Sequence, residues 1–482
     1  MNWISKIPFR RKGEASRGLS TGSSVTGRSN RAAVSVRADN PIRKQEDDVL
    51  GRAKLARSFA EQILSLDASE GIVAGVLGHW GSGKTSFINL ARAHLESLGV
   101  PVLDFNPWMF SGAEQLVEAF FVELSAQLRL RPELAQVGKD LEDYGETFSG
   151  LGWLPLVGPW IERGRVATRL LARMLQRRKE GIQGRRRKVE RALGALDKPI
   201  VVILDDIDRL TTPEIRDIFK LVRLAANFPN IIYVVSFDRV RVEEALAEQG
   251  IRGRDYLEKI LQVAVDIPAV RMQLLSGQIL QAIDTVLSTV DNKGPFDENV
   301  WPDIFMEVIR PLLRNIRDVR RYVAAVHGTV RSLGGQVALT DVLALEAIRV
   351  FLPDVFHRLH GAVDGLTTTS DPGYAGHRDP PHLKEEISRL IETAGPHADV
   401  VRALIERVFP AGKRHIGGSH FGSDWKSRWL LERRVAHEDL LRLYLEQVVG
   451  EGLKAFTDAE QAWLLMADRG TFDSYLRSLD AH

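Results

Sequence analysis

A chain of 482 residues, 44% hydrophobic and 27% charged, is long enough for roughly two to four domains with a substantial core. It contains no cysteine, which excludes a disulfide framework, thiolate zinc sites and a cysteine nucleophile. The formal net charge of +2 hides a division: residues 1–44 carry ten Lys/Arg against two acids, and residues 163–191 carry twelve against two, so the rest of the chain is acidic.

Residues 1–44, rich in Ser, Gly and Arg, read as a disordered basic tail. Its start lacks an apolar run followed by a small-residue cleavage site, so no secretory signal is expected. Trp3, Ile4, Ile7 and Phe9 beside Arg10, Arg11 and Lys12 suit an anionic membrane surface, although Pro8 spoils a clean helix; a mobile solvated tail is the plainer reading.

Order is expected from Glu46, where an acid-rich turn leads into a helix through Leu55, Phe59, Ile63 and Leu64, suited to flooring the base of a nucleotide. The stretch that organises the chain follows. Ile72 to Leu77 reads as a buried strand, running into Gly78-His-Trp-Gly-Ser-Gly-Lys-Thr-Ser86 and then a helix. Glycines at 78, 81 and 83 let the backbone N–H groups turn inward around phosphates, and the helix start adds its dipole. Lys84 can reach the β/γ-phosphates, and the Thr85 hydroxyl is placed for Mg²⁺.

Val102–Phe105 is a second strand, ended by Asn106-Pro-Trp-Met-Phe110, and a helix is expected from Ala113 to Leu130. Residues 131–198 interrupt the alternation. This insertion holds the uncharged run 148–161, too short to span a bilayer as a helix, for which about 20 residues are needed. After it comes a helix with Arg165, Arg169, Arg173 and Arg177 on one face and Val166, Leu170 and Met174 on another. That basic amphipathic helix suits its own acidic body, a membrane surface, a nucleic acid or an acidic partner.

Strands resume at Ile200–Leu204, Ile231–Phe237 and Gln262–Ile267, separated by helices over 213–226 and 240–249. Five apolar strands alternating with helices indicate a parallel sheet covered on both faces. The chain beyond Pro268 reads as helices broken by loops at 291–299, 367–382 and 411–424. The expected division is an NTPase core over 45–268 carrying the basic insertion at 131–198, a helical lid over 269–335 and a helical C-terminal domain over 336–482.

Val201 to Asp206 is an apolar strand ending in two carboxylates. Placed beside the P-loop strand, Asp205 falls near the Mg²⁺ held by Thr85 and Asp206 faces the attacking water. Ser236 ends the fourth strand, either as a sensor of the γ-phosphate or as a hydroxyl satisfying a turn. Arg209 can serve as an arginine finger in a neighbouring subunit or pair with Asp208. Histidines 357, 360, 415 and 420 lack a third ligand at recognisable spacing.

Together, Gly78–Ser86, Phe105–Phe110, Asp205–Leu210, Ser236–Arg239 and Tyr256–Gln262 resemble the KAP family of P-loop NTPases over roughly residues 45–330. The resemblance implies an α/β core of the additional-strand class with a central parallel five-stranded sheet, in which the P-loop strand and the Asp205 strand are neighbours. It implies ATP and Mg²⁺ as ligands. The nucleotide would be cradled by Gly78, Trp80, Gly81, Ser82, Gly83, Lys84, Thr85 and Ser86; Thr85 and Asp205 (through water) would hold the metal, and Asp206 would activate water. Leu313 to Tyr322 resembles the family's Pro-Arg-Asp segment with Ile316 in place of proline, so Arg317 or Arg320 can reach the nucleotide from a lid or lie on a solvated basic helix. Many relatives carry paired membrane spans where this insertion lies; its lack of apolar length leaves no integral span expected.

The sequence therefore predicts a cytoplasmic Mg²⁺-dependent ATPase, a nucleotide-driven switch that self-associates or engages a protein partner, with peripheral attachment at the inner face of the membrane left open. The resemblance adds a role in defence against phage. The alternatives are a nucleotide-gated scaffold with negligible turnover and a nucleic-acid-binding ATPase acting through the basic insertion.

Overall fold

The computed structural model describes residues 40–110, 116–146, 183–225, 227–247, 252–370, 380–446 and scattered positions from 459 to 479. They form two compact units, Asn40–Val270 and Arg271–His482.

The first unit is built on five parallel strands, β1 (Ile72–Leu77), β2 (Val102–Phe105), β3 (Ile200–Leu204), β4 (Ile231–Phe237) and β5 (Val263–Asp266), in the order β2-β3-β4-β1-β5. Side chains alternate across the sheet. Ala74, Val76, Val201, Ile203, Ile232 and Val234 pack toward α1 (Ala53–Leu64) and α2 (Lys84–Ser97). Val73, Leu77, Val202, Leu204, Tyr233 and Val235 pack toward α3 (Leu116–Arg129), α4 (Ala135–Gly145) and α6 (Thr212–Ala225). The unbroken apolar strands of the sequence are what a sheet covered on both faces requires. Two short helices, α7 (Arg239–Leu246) and α8 (Gly253–Glu258), lead from β4 to β5.

One expectation is corrected. The strands of the P-loop and of Asp205 are not neighbours, because β4 lies between them and pairs with both. Burial separates the interior strands from the edges. Every residue of β1, β3 and β4 is buried, and an edge position would leave one side of such a backbone unpaired. β2 carries an exposed Asp104 and β5 has no fully buried position, and these two form the edges. The register aligns the strand ends: Leu77 lies beside Phe237, Leu204 beside Val235, and Phe105 beside Leu204. The loops after β1, β2, β3 and β4 therefore gather at one edge, the usual place for ligands in an open α/β sheet.

Of the insertion, α4 and a helix α5 over 183–194 are described. Val189 and Leu193 of α5 join the core, Lys188 Nζ lies 2.7 Å from Asp140 Oδ1, and Arg185 donates to the Asp143 carbonyl at 2.5 Å. This end of the basic segment rests on the protein's own acidic helix. The run 148–161 and Arg165, Arg169, Arg173 and Arg177 lie outside the described residues, as do the first 39 residues. Among the described residues, no helix is long and apolar enough to cross a membrane.

The second unit is helical, including α9 (Met272–Leu287), α10 (Ile316–Leu333) and α11 (Leu339–Phe351). Within 411–424, expected as a loop, Pro410–Ile416 forms a 3₁₀ helix. The segment 433–444 ties this unit together. Arg434 donates through Nε to both oxygens of buried Asp341, at 2.8 and 3.0 Å, and through Nη2 to the Arg407 carbonyl at 2.9 Å. The Tyr444 hydroxyl donates to buried Glu346 at 2.8 Å.

Candidate functional site at the P-loop

The loop after β1 closes around its glycines. Gly81 and Gly83 take positive φ of 78° and 89°, conformations that side chains resist, and Gly83 is the residue from which α2 starts. A Cβ at Gly78 would stand 2.5 Å from Ser82 Oγ, so this glycine permits a close approach. Lys84, only 9% exposed, donates to the Gly78 carbonyl at 2.9 Å and lies 3.2 Å from Asp208 Oδ2, whose side chain is 4% exposed. The phosphate-binding candidate is thus held by a carboxylate of the loop after β3.

That loop adopts a sharp turn. Asp206 has φ 62° and ψ 28°, a left-handed conformation that costs a non-glycine residue about 1–2 kcal/mol. Its N–H donates to Asp205 Oδ1 at 2.9 Å, and Arg209 Nε lies 2.9 Å from its own Oδ1. Burial pushes the Asp206 carboxyl above the ordinary carboxylate range; Asp205 adds to the rise, and Arg209 opposes it. Arg209 pairs with Asp206 rather than Asp208, since Asp208 is taken by Lys84. Its Cζ also lies 5.1 Å from the Trp80 ring centroid.

Ser236, at the end of β4 beside Val76, is fully buried, and its Oγ makes no hydrogen bond among the described residues. The turn-satisfying alternative for this hydroxyl is therefore not what the structure contains. Ser82 Oγ is likewise buried without a hydrogen bond among the described residues. Thr85 and Asp205 are both partly buried. Ser86 Oγ accepts the Ile42 N–H at 3.3 Å, tying the chain before α1 to α2.

Several residues in or beside the stretches singled out in the sequence have structural employment. Asp48, in the acid-rich turn, accepts the Ala53 N–H at 2.7 Å and so caps the start of α1. Asp238 accepts the Val240 N–H at 3.1 Å, capping α7, and lies 3.5 Å from His79 Nδ1. Gln262 Oε1 accepts the Val73 N–H at 2.7 Å at the start of the β1–β5 ladder. Arg317 and Arg320 lie partly buried on α10 of the second unit, whose start Asn315 caps by accepting the Asp318 N–H at 3.0 Å.

Sequence reading missed Arg52. This buried residue donates through Nη1 to the Ser82 carbonyl and through Nη2 to the Pro268 carbonyl at 2.7 Å, joining the P-loop to the exit of β5. Burial pulls its guanidinium below the ordinary arginine range, with Asp48 opposing. A single arginine before a helix has no sequence signature; only the partners, far away in the chain, reveal it.

A family model described as the KAP family P-loop domain matches residues 52–333. Among curated proteins, the phage T7 exclusion protein of Escherichia coli (strain K12) is 24% identical over 351 residues, 66% of this chain and 46% of that protein. The chain thus spans about half the length of that relative. Among solved structures, a DNA replication initiation factor matches with a TM-score of 0.33 and 12% identity, covering 85% of this chain and 99% of that one. The ORC2 protein of Aeropyrum pernix matches with a TM-score of 0.33 and 12% identity, covering 86% and 96%.

Proposed function

The chain belongs to the KAP family of P-loop NTPases, and from that premise we propose that it binds ATP with Mg²⁺ and hydrolyses it, serving as a nucleotide-driven switch. The observation that carries the reading is the convergence of Lys84 with the carboxylates after β3 at one edge of the sheet. The nucleotide's phosphates would replace Asp208 as the partner of Lys84, and the N–H groups at the start of α2, which no intrahelical carbonyl can reach, would receive the phosphate oxygens.

The residues present suit a hard cation: Thr85 and Asp205 offer oxygen donors only. When bound, Mg²⁺ would supply charge neutralisation across the phosphates. Asp206 would orient water and accept its proton as the water oxygen bonds to the γ-phosphorus. The bond from that phosphorus to the β,γ-bridging oxygen breaks, and ADP leaves with the electron pair. The buried hydroxyls of Ser82 and Ser236, without hydrogen bonds among the described residues, suit donation to phosphate oxygens, Ser236 as the γ-phosphate sensor.

Lys84→Ala is expected to abolish nucleotide binding, whereas Asp206→Asn keeps binding and loses turnover. Normal ATP affinity in the first variant, or wild-type turnover in the second, would sink the assignment. Its likeness to the phage T7 exclusion protein supports a biological role in blocking phage growth. A phage challenge in which the wild type protects and Lys84→Ala does not is the corresponding test; no protection across a broad panel would count against it.

A further inference from the structure

The Asn-Pro-Trp stretch after β2 has no part in the chemistry above, yet it reaches the site. Asn106 builds the turn, accepting the Trp108 N–H through Oδ1 at 3.1 Å and the Met109 N–H through its carbonyl at 3.2 Å. Pro107 is buried, and Phe105 and Phe110 stack on each other at 5.3 Å. With both ends of the turn anchored, Trp108 is left 51% exposed, and its ring centroid lies 5.6 Å from Arg209 Cζ. Trp80, in the P-loop and 54% exposed, offers the second ring to the same guanidinium. One cation therefore joins the ends of three strands: β1 through Trp80, β2 through Trp108, and β3 through Asp206.

An arginine–carboxylate pair at a surface is weak by itself, because a long side chain must give up its freedom to hold one geometry. Two aromatic faces remove much of that freedom beforehand, since a guanidinium over an indole is attracted to it. We propose that Trp108 and Trp80 seat Arg209 as a positioning residue for Asp206, which makes the Asn-Pro-Trp stretch part of the hydrolytic machinery. This inference rests on the hydrolase reading above. It also gives Arg209 a task within its own chain instead of as a finger in a neighbouring subunit. A carboxylate held in one place matters because misplacement of a catalytic group by about 1 Å is enough to cost roughly a hundredfold in rate.

The test uses the full chain, with ATP turnover and nucleotide affinity measured separately for the wild type, Trp108→Ala, Trp108→Phe, Arg209→Ala and the Trp108→Ala/Arg209→Ala double variant. Losing one ring from the seat should lower kcat about threefold to tenfold while nucleotide affinity stays within about twofold. Trp108→Phe, which keeps an aromatic face, should recover most of the loss. Because Trp108 acts through Arg209, the double variant should be no slower than Arg209→Ala alone. Wild-type kcat in Trp108→Ala, or losses that multiply in the double variant, would overturn the proposal while leaving the hydrolase reading intact. A wild type that binds ATP and shows no turnover would overturn both.

Discussion

Asp208→Asn perturbs one contact at the centre of the site. Lys84 Nζ and Asp208 Oδ2 are 3.2 Å apart with both side chains largely excluded from solvent. At an effective dielectric of about 20, two unit charges at that distance attract by about 5 kcal/mol. Desolvation of both groups offsets much of this, and removing one partner of a buried pair typically costs about 3–5 kcal/mol. Lys84 keeps its hydrogen bond to the Gly78 carbonyl at 2.9 Å, and an asparagine oxygen still accepts a hydrogen bond, so the nucleotide-free chain should lose only about 1.5–3 kcal/mol. For a unit of this size that lowers Tm by roughly 3–10 °C. Phosphates must take Lys84 from a charged Asp208 in the wild type and from only a neutral acceptor in the variant, so ATP should bind about tenfold tighter. Thermal unfolding with and without ATP, together with calorimetric titration, reads both quantities. An unchanged nucleotide-free Tm with weaker ATP binding would refute the exchange and make Asp208 a support for Lys84.

Two further substitutions probe buried polar groups. Ser236→Ala removes a hydroxyl that makes no hydrogen bond among the described residues, so the nucleotide-free chain should be at least as stable as the wild type while turnover falls about tenfold; lower stability with normal turnover would show the hydroxyl to be structural. Arg434→Met leaves Asp341 buried without its guanidinium and should cost about 3–5 kcal/mol in the second unit. Burial already holds the Asp341 carboxyl above the ordinary range against the pull of Arg434, and the variant raises it further. A raised carboxyl favours the protonated folded state, and that stabilisation is lost as pH rises through the folded value. The deficit should therefore be smaller near about pH 5 than near about pH 8 in urea unfolding; equal deficits would contradict this account.

Much of the site was legible because its signals are local. The glycines at 78, 81 and 83, the lysine that follows them, and the apolar run ending in Asp205 and Asp206 each lie within a few residues. The roles of Asp48, Asp238 and Asn315 were not legible, since an aspartate or asparagine before a helix looks the same whether it binds a ligand or caps the helix. The segment 433–444 offered no chemistry to read because its partners, Asp341 and Glu346, lie about a hundred residues earlier in the chain.

Strand identity, the P-loop and the paired carboxylates were determined by the sequence alone, because apolar periodicity and backbone permissiveness act over neighbouring residues. Tertiary structure decided the rest. It set β4 between the strands of the P-loop and of Asp205, since the burial of β1, β3 and β4 marks all three alike as interior and only their pairing partners order them. It also chose the partners: Lys84 with Asp208, Arg209 with Asp206 and two indole rings, and Arg52 with carbonyls 30 and 216 residues away. Charges distant in sequence meet only when the strand ends converge, and which oppositely charged groups then pair is a matter of distance and burial that no linear pattern records.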